Sequence, residues 1–251
     1  MPNLLRECQI RRAIILVVFM MLAHPSKAII LGGDVTGGVA EAQGGVFTEL
    51  SLPFITPKGD PNTVGKDNFD TFDLYAFNED QNVTLTETLS VNIGSDISAG
   101  TTISAGTTVA SHYVFYDPEG TSKITQKGFV DFDAPILGII TTKTLLDISD
   151  SLVNDNVKYE SPTLRGLEFD DVVSIDSGDP NRLLVDWAAS TPGDYIRVLT
   201  GESAGGEDPC SNNPPGVGGC PLTQVPEPAT TALLALGLLG AGLGTRRRWL
   251  R

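Results

Sequence analysis

In a chain of 251 residues, 31 acidic side chains against 17 basic ones leave a net charge of −14 at pH 7. So acidic a surface repels phosphate backbones and anionic lipid, which excludes nucleic acid as a partner and favours cations. Lysine and arginine are scarce while Thr, Val, Ser, Asp and Gly abound, a composition of strands and turns rather than long helices.

Arg6, Arg11 and Arg12 precede an apolar run of 11 residues, 13–23, and the small residues Ser26 and Ala28 follow it. This is the layout of a secretory leader and predicts a signal peptide over residues 1–28, cut after Ala28. The run is too short to be preferred as an uncleaved spanning helix. Residues 1–28 and 226–251 together hold eight bases and two acids, so the body between them carries a charge of about −20. It is long enough for one large or two small domains with a substantial core.

Along the body, residues 29–31 start apolar and the glycines at 32, 33, 37 and 38 then loosen the chain. Residues 45–50 read as a strand, followed by a Pro- and Gly-rich loop over 53–65. In the segment 69–77 both alternating faces are partly apolar, as expected of a strand covered on both sides. Residues 78–82 read as a turn, and 83–91 alternates with period two, which predicts a hairpin of these two strands. The tandem repeat ISAGTT at 97–108 places Ile97, Ile103 and Val109 on one face if extended, and its Ala-Gly steps read as bends leading into a strand over 107–116. Residues 123–132 supply the next strand.

Residues 135–140 are apolar. Thr144 and Asp147 have capping-box spacing, and Leu145, Ile148 and Leu152 recur at helical intervals, predicting one short helix to about Val153. Residues 170–177, a turn at 178–181 and residues 182–188 form a second predicted hairpin. A last strand covers 194–200. Many short strands with one helix predict a mainly β fold, an antiparallel β-sandwich or jelly-roll-like ectodomain over 29–200. The Gly-, Pro- and Asn-rich residues 201–225 then read as a linker. A signal helix precedes this body, and a transmembrane helix over 230–245 follows it.

Motifs for chemistry are few. Gly201-Glu202-Ser203-Ala204-Gly205 matches the G-x-S-x-G nucleophile elbow, which needs a following helix and a histidine later in the chain. The Gly- and Pro-rich sequence after it cannot continue as a helix, and His112, the one histidine beyond the leader, lies before the serine. A hydrolase is therefore disfavoured, no catalytic residue is assigned, and the chain is not expected to be an enzyme. His112 lacks a histidine or cysteine companion at ligand spacing and reads as structural. Calcium is the one inorganic cofactor to consider, since oxygen-rich turns occur at Asp67-Asn68-Asp70, Asn78-Asp80-Asn82, Asp117-Glu119 and Asp176-Asp179-Asn181. None has EF-hand order, and solvated turn residues are the commoner origin of such clusters. Asp176, Asp179 and Asn181 are the candidate ligands. Cys210 and Cys220 are spaced to close a small disulfide loop in an oxidising compartment.

The tail, 225–251, reads VPEPATTALLALGLLGAGLGTRRRWLR. Pro226 and Pro228 keep the chain extended around Glu227. The uncharged run 230–244 spans roughly 22 Å as a helix, short of a hydrocarbon core of about 30 Å. Arg246, Arg247, Arg248 and Arg251 form a basic anchor that keeps the C-terminus on the cytoplasmic side. Gly240 and Gly244 make a GxxxG pair of low specificity.

Val225-Pro226-Glu227-Pro228, the apolar run and the arginine cluster together resemble the PEP-CTERM sorting signal of bacterial exported proteins. The stretches FDTFDLYAFNEDQN, AGTTVASHYVFYDP, RGLEFDD and STPGDYIRVLT are similar to ectodomains of PEP-CTERM proteins of unassigned function. The resemblance implies an inner-membrane intermediate, an exosortase that recognises the motif and removes the tail, and a final place at the cell surface or outside. Exosortase and signal peptidase are the implied partners, with polysaccharide as a further candidate. The expected role is structural or adhesive, in the envelope or extracellular matrix. A carbohydrate-binding module is the alternative, with Tyr113, Tyr116, Trp187 and Tyr195 as candidate stacking rings.

Overall fold

The structure, a computed structural model, describes residues 27–65, 67–92, 100–160, 165–168 and 170–202. Most of the leader, Ile97, Ser203, Cys210, Cys220 and the whole tail with Val225, Glu227 and Arg246 lie outside the described residues. In chain order the elements are β1 (Ile30–Gly37), α1 (Gly38–Ala42), β2 (Phe47–Glu49), β3 (Thr63–Val64), β4 (Leu74–Asn78), β5 (Val83–Thr84), β6 (Leu89–Asn92) and β7 (Gly100–Ile103). There follow β8 (Thr108–Tyr116), β9 (Ile124–Phe132), β10 (Ile136–Ile140), α2 (Lys143–Ile148) with a 3-10 turn at Asp150–Leu152, β11 (Lys158–Tyr159), β12 (Val172–Ile175), β13 (Arg182–Ala189) and β14 (Asp194–Thr200).

Two sheets account for most of these strands. One runs β1-β9-β13-β12; the larger runs β2-β4-β8-β14-β10-β6-β7, with β5 also paired to β8. Pairing within them is antiparallel except between β2 and β4, and a separate parallel pair joins β3 to β11. The fold is mainly β with few helices, as expected.

Burial patterns explain the layering. Along β13 buried and more exposed residues alternate, so its sheet has one face in the core and one towards solvent. β14 is buried at every position, and β8 at all but its first. The larger sheet is therefore covered on both faces. On one side Leu74, Val114, Tyr116, Ile196 and Val198 meet Val130, Leu183, Val185 and Trp187 of the smaller sheet in a shared core. On the other, Tyr75, Phe77, Tyr113, Phe115, Tyr195 and Leu199 are packed by Phe54, Phe69, Leu146, Leu152 and Val157 from loops, α2 and the 3-10 turn. The doubly apolar segment around Phe77 is thus a covered strand, as its sequence indicated.

Several local expectations are corrected. The hairpin expected of 69–77 with 83–91 does not form. β4 pairs with β8 over Tyr75↔Phe115 to Asn78↔His112, and the chain then continues beside the same strand, Val83 opposite Val109. Residues 79–82 are consequently a bulge with Asn82 at φ 56°, not a reversal, and β6 crosses to lie between β10 and β7. Alternation reports which face a residue takes, and it is silent about which strand lies alongside.

The helix is capped two residues earlier than predicted: the Thr142 hydroxyl accepts from Leu145 N, and the buried side chains are Leu146 and Leu152 while Ile148 is exposed. α1 adds a second short helix. Residues 30–37, read as loosened by glycine, form an eight-residue strand.

The hairpin of β12 and β13 is as predicted, with Val172 opposite Asp186 and Ile175 opposite Leu183. The bend at Ala105-Gly106 is also present, Gly106 at φ +84° supplying the left-handed residue that a side chain would strain. No helix among the described residues is long and apolar enough to cross a membrane.

Candidate functional site

The predicted calcium ligands stay on the turn between β12 and β13. Asp176 Oδ1 accepts from Gly178 N at 2.9 Å and Asp179 Oδ1 from Asn181 N at 3.0 Å, so both carboxylates hold the backbone of their own turn. The four candidate stacking rings are not available to a ligand: Tyr113, Tyr116, Trp187 and Tyr195 are all buried, at 2 % exposure or less. Their strands lie in or against the sheet that both cores enclose. Trp187 donates to Gln126 Oε1 inside the core (2.9 Å).

His112 is also enclosed. Its Nδ1 lies 2.7 Å from Asn78 Oδ1 and its Nε2 3.0 Å from Thr200 Oγ1, which ties β4, β8 and β14 together through one imidazole. Since an amide oxygen can only accept, Nδ1 carries the proton and Nε2 accepts from the threonine. Burial drives its pKa down to about 3, so the ring is neutral.

Two polar constellations are assembled by the fold, one unseen in the sequence and one visible there only as two separate turns. The first is an ion pair inside the loop-covered core. Arg197 on β14 donates from Nε to Glu79 Oε2 (2.6 Å) and from Nη2 to Oε1 (3.0 Å). Ser111 and Tyr159 donate to the same carboxylate, each at 2.6 Å, and Arg197 Nη1 reaches the Leu146 carbonyl and Ser149 Oγ. Each carboxylate oxygen therefore accepts twice, the condition under which a buried pair is tolerated. The one sequence signal was a charge inside the otherwise apolar run DYIRVLT.

The second constellation lies where residues 67–73 pass the end of β8. Phe69 is buried and packs on Tyr75 and Phe115, ring centroids 4.5 and 4.8 Å away, which draws the loop onto the sheet. Its N–H donates to Asp117 Oδ2 (3.1 Å), and Thr71 N donates to the Asp117 carbonyl (3.1 Å). Asp67 and Asp70, at φ 56° and 50°, turn the chain on either side of this anchor.

As a result one carboxylate oxygen from each of Asp67, Asp70 and Asp117 lies within 4.8 Å of the other two. Asp117 is fully buried. Its Oδ1, like Asp67 Oδ1, is buried with no hydrogen-bond partner among the described residues. Lys58 Nζ, largely exposed, contacts Asp70 Oδ2 at 2.6 Å. Burial, with Asp67 and Asp70 adding repulsion, pushes the Asp117 carboxyl up to about 7 against the Phe69 hydrogen bond and Lys58. Two turns far apart in sequence are thus one cluster, with Glu119 outside it.

A shallow pocket of about 220 Å³ lies between Arg165–Glu168 and the turn Ser190–Asp194. Asp194 in its wall is buried with Oδ2 unpartnered among the described residues. Burial, then Asp171 and Glu168, push its carboxyl up to about 8. Arg165 beside it is already committed to Asp147 and Asp150, so it offers the pocket no free cation.

Nothing in these arrangements names a reaction, and the decisive similarity lies at the other end of the chain. Residues 224–248 match the PEP-CTERM protein-sorting motif. The chain carries an exosortase sorting signal. The PEP-CTERM match takes in Val225, Pro226, Glu227, Pro228 and the arginines 246–248, leaving Arg251 beyond it. It establishes an exported, exosortase-processed protein and speaks for those residues, not for the β body. Neither a curated protein nor a solved structure matches the chain.

Proposed function

We propose that this chain is a surface or extracellular-matrix protein whose β-sandwich body has a structural or adhesive role, delivered by an N-terminal leader and sorted through its PEP-CTERM tail. The observation that carries the reading is the sorting motif at residues 224–248, since exosortase processing places the body outside the cell. The body supports it: two apolar cores enclose its central sheet, and an excess of acid lies outside them. In this reading the body works by binding rather than by catalysis. The glycan-binding alternative loses its four proposed rings to the core, and the hydrolase loses its one histidine to the Asn78–Thr200 bridge.

The test is made in an exosortase-bearing host with tagged full-length chain. Mass spectrometry of surface material should find Ile29 at the front and no Arg246–Arg251 at the back. Replacing Pro226, Glu227 and Pro228 by alanine should leave the tail in place and the chain in the membrane fraction, with loss of matrix retention. Surface protein that keeps Arg251 in the wild type would overturn the sorting reading. Normal cell cohesion without the chain would overturn the adhesive one.

A further inference from the structure

We propose that Asp67, Asp70 and Asp117 bind a calcium ion that fastens residues 67–73 to the end of β8. This assignment stands apart from the sorting reading and from the turn at Asp176.

Three observations meet there. The first is spacing. Two oxygens bound to one Ca²⁺ at 2.3–2.6 Å are at most about 5.2 Å apart, and the three carboxylate oxygens lie within 4.8 Å of one another. Three oxygens so spaced share a point no more than about 2.8 Å from each, and small side-chain rotations bring all three to the calcium distance. The second is the buried end of the cluster. Asp117 is fully buried, its Oδ2 takes the Phe69 N–H, and its Oδ1 has no partner among the described residues. A desolvated carboxylate oxygen left unpaired is costly in a native fold, and a bound cation is a ligand that satisfies it. Asp67 Oδ1 is orphaned in the same way.

The third is charge. Three carboxylates face one ammonium, that of Lys58, which contacts only Asp70 Oδ2 of the cluster and is largely exposed. Two carboxylates are left without an ammonium partner in the cluster, and a divalent ion supplies one. The donor set is all oxygen, with no imidazole or thiolate, which favours a hard cation over zinc or copper. Calcium fits better than magnesium because it accepts irregular carboxylate sets and fills its remaining positions with water or carbonyls. The loop is already drawn in by Phe69, so the ion fixes a conformation that the aromatic packing begins.

The test uses the full chain, stripped with a chelator and followed by thermal unfolding and titration calorimetry with CaCl₂ and, separately, MgCl₂ at constant ionic strength. Calcium should bind at one site per chain and raise the wild-type Tm by roughly 5–10 °C at a hundred times its Kd. Asp117→Asn should lose both responses, yet melt in chelator no lower than the wild type, because a neutral amide replaces a desolvated carboxyl and keeps an oxygen for the Phe69 N–H. Asp67→Asn, at a more exposed position, should weaken the response at least tenfold and serves if Asp117→Asn does not fold. Asp176→Asn should respond as the wild type does. An unshifted wild-type Tm would overturn the site, as would an undiminished response in both cluster variants. An equal response to magnesium would overturn the calcium assignment, and loss of response in Asp176→Asn would move the site to the other turn.

Discussion

Glu79 and Arg197, 118 residues apart in sequence, form an ion pair whose two side chains are wholly buried. Glu79 enters from the bulge after β4, and Arg197 from the middle of β14. The 79–82 bulge, set by the pairing of β4 and β5 with β8, places the Glu79 side chain inward to meet Arg197. Glu79→Gln should destabilise the body by about 3–5 kcal/mol, because it strands a buried guanidinium. The Glu79→Leu/Arg197→Met double variant should lose clearly less than the two single changes summed. Urea unfolding of the four chains measures the coupling.

The pH dependence of Asp194 has a definite sign. Its folded pKa, about 8, lies above the ordinary aspartate value of 3.8, so between those values the folded chain holds a proton that the unfolded chain releases. Its contribution is fully present below about pH 4, declines as pH rises towards 8, and is flat beyond. Asp194→Asn should flatten that slope, by up to a few kcal/mol at pH 8, in urea midpoints taken from pH 4 to 9. An unchanged profile would mean that the carboxyl is ionised at neutral pH.

His112 has the opposite sign. Burial holds its pKa near 3, so its contribution is intact above the unfolded value of 6.5 and is lost as pH falls towards 3. The chain has two histidines, and the other, His24, precedes the described residues and the expected cut after Ala28. Proton NMR of the leader-free protein should therefore show one imidazole, with no titration between pH 5 and 8. A ring that titrates near 6.5 would contradict the Asn78–Thr200 bridge.

Gly128 lies where β1 crosses β9. A β-carbon there would press on the Asp34 carbonyl and sit 3.1 Å from Leu74 Cδ2. Gly128→Ala should cost about 1–3 kcal/mol by forcing the two strands apart. A thermal melt checks it, and a neutral result would show that β1 shifts easily on its neighbour.

What sequence reveals and what it withholds differ by distance along the chain. The β12–β13 hairpin was readable because its two strands flank a short turn, Gly178 to Asn181, so alternation and turn chemistry name the partner together. The same alternation at 83–91 misled, since the partners of β6 are β7 and β10 and no local signal points to the latter. The sorting tail was readable because all its parts are contiguous. The aspartate cluster was half readable: both turns stood out as oxygen-rich, but Phe69 and Asp117 are 48 residues apart, and only folding joins them. Arg197 was visible as an odd charge in a strand, with nothing to indicate Glu79.

The place of β14 has a consequence for the order of events during secretion. It is the last described strand, yet it fills the gap between β8 and β10 in the larger sheet. A polypeptide threaded outward from its front end keeps that gap open until Thr200 has emerged. The sorting motif begins at residue 224, leaving a leash of 23 residues, about 80 Å when taut. If export runs from the front end and a bilayer holds the tail, the gap can close before processing, and the enzyme then receives finished cargo.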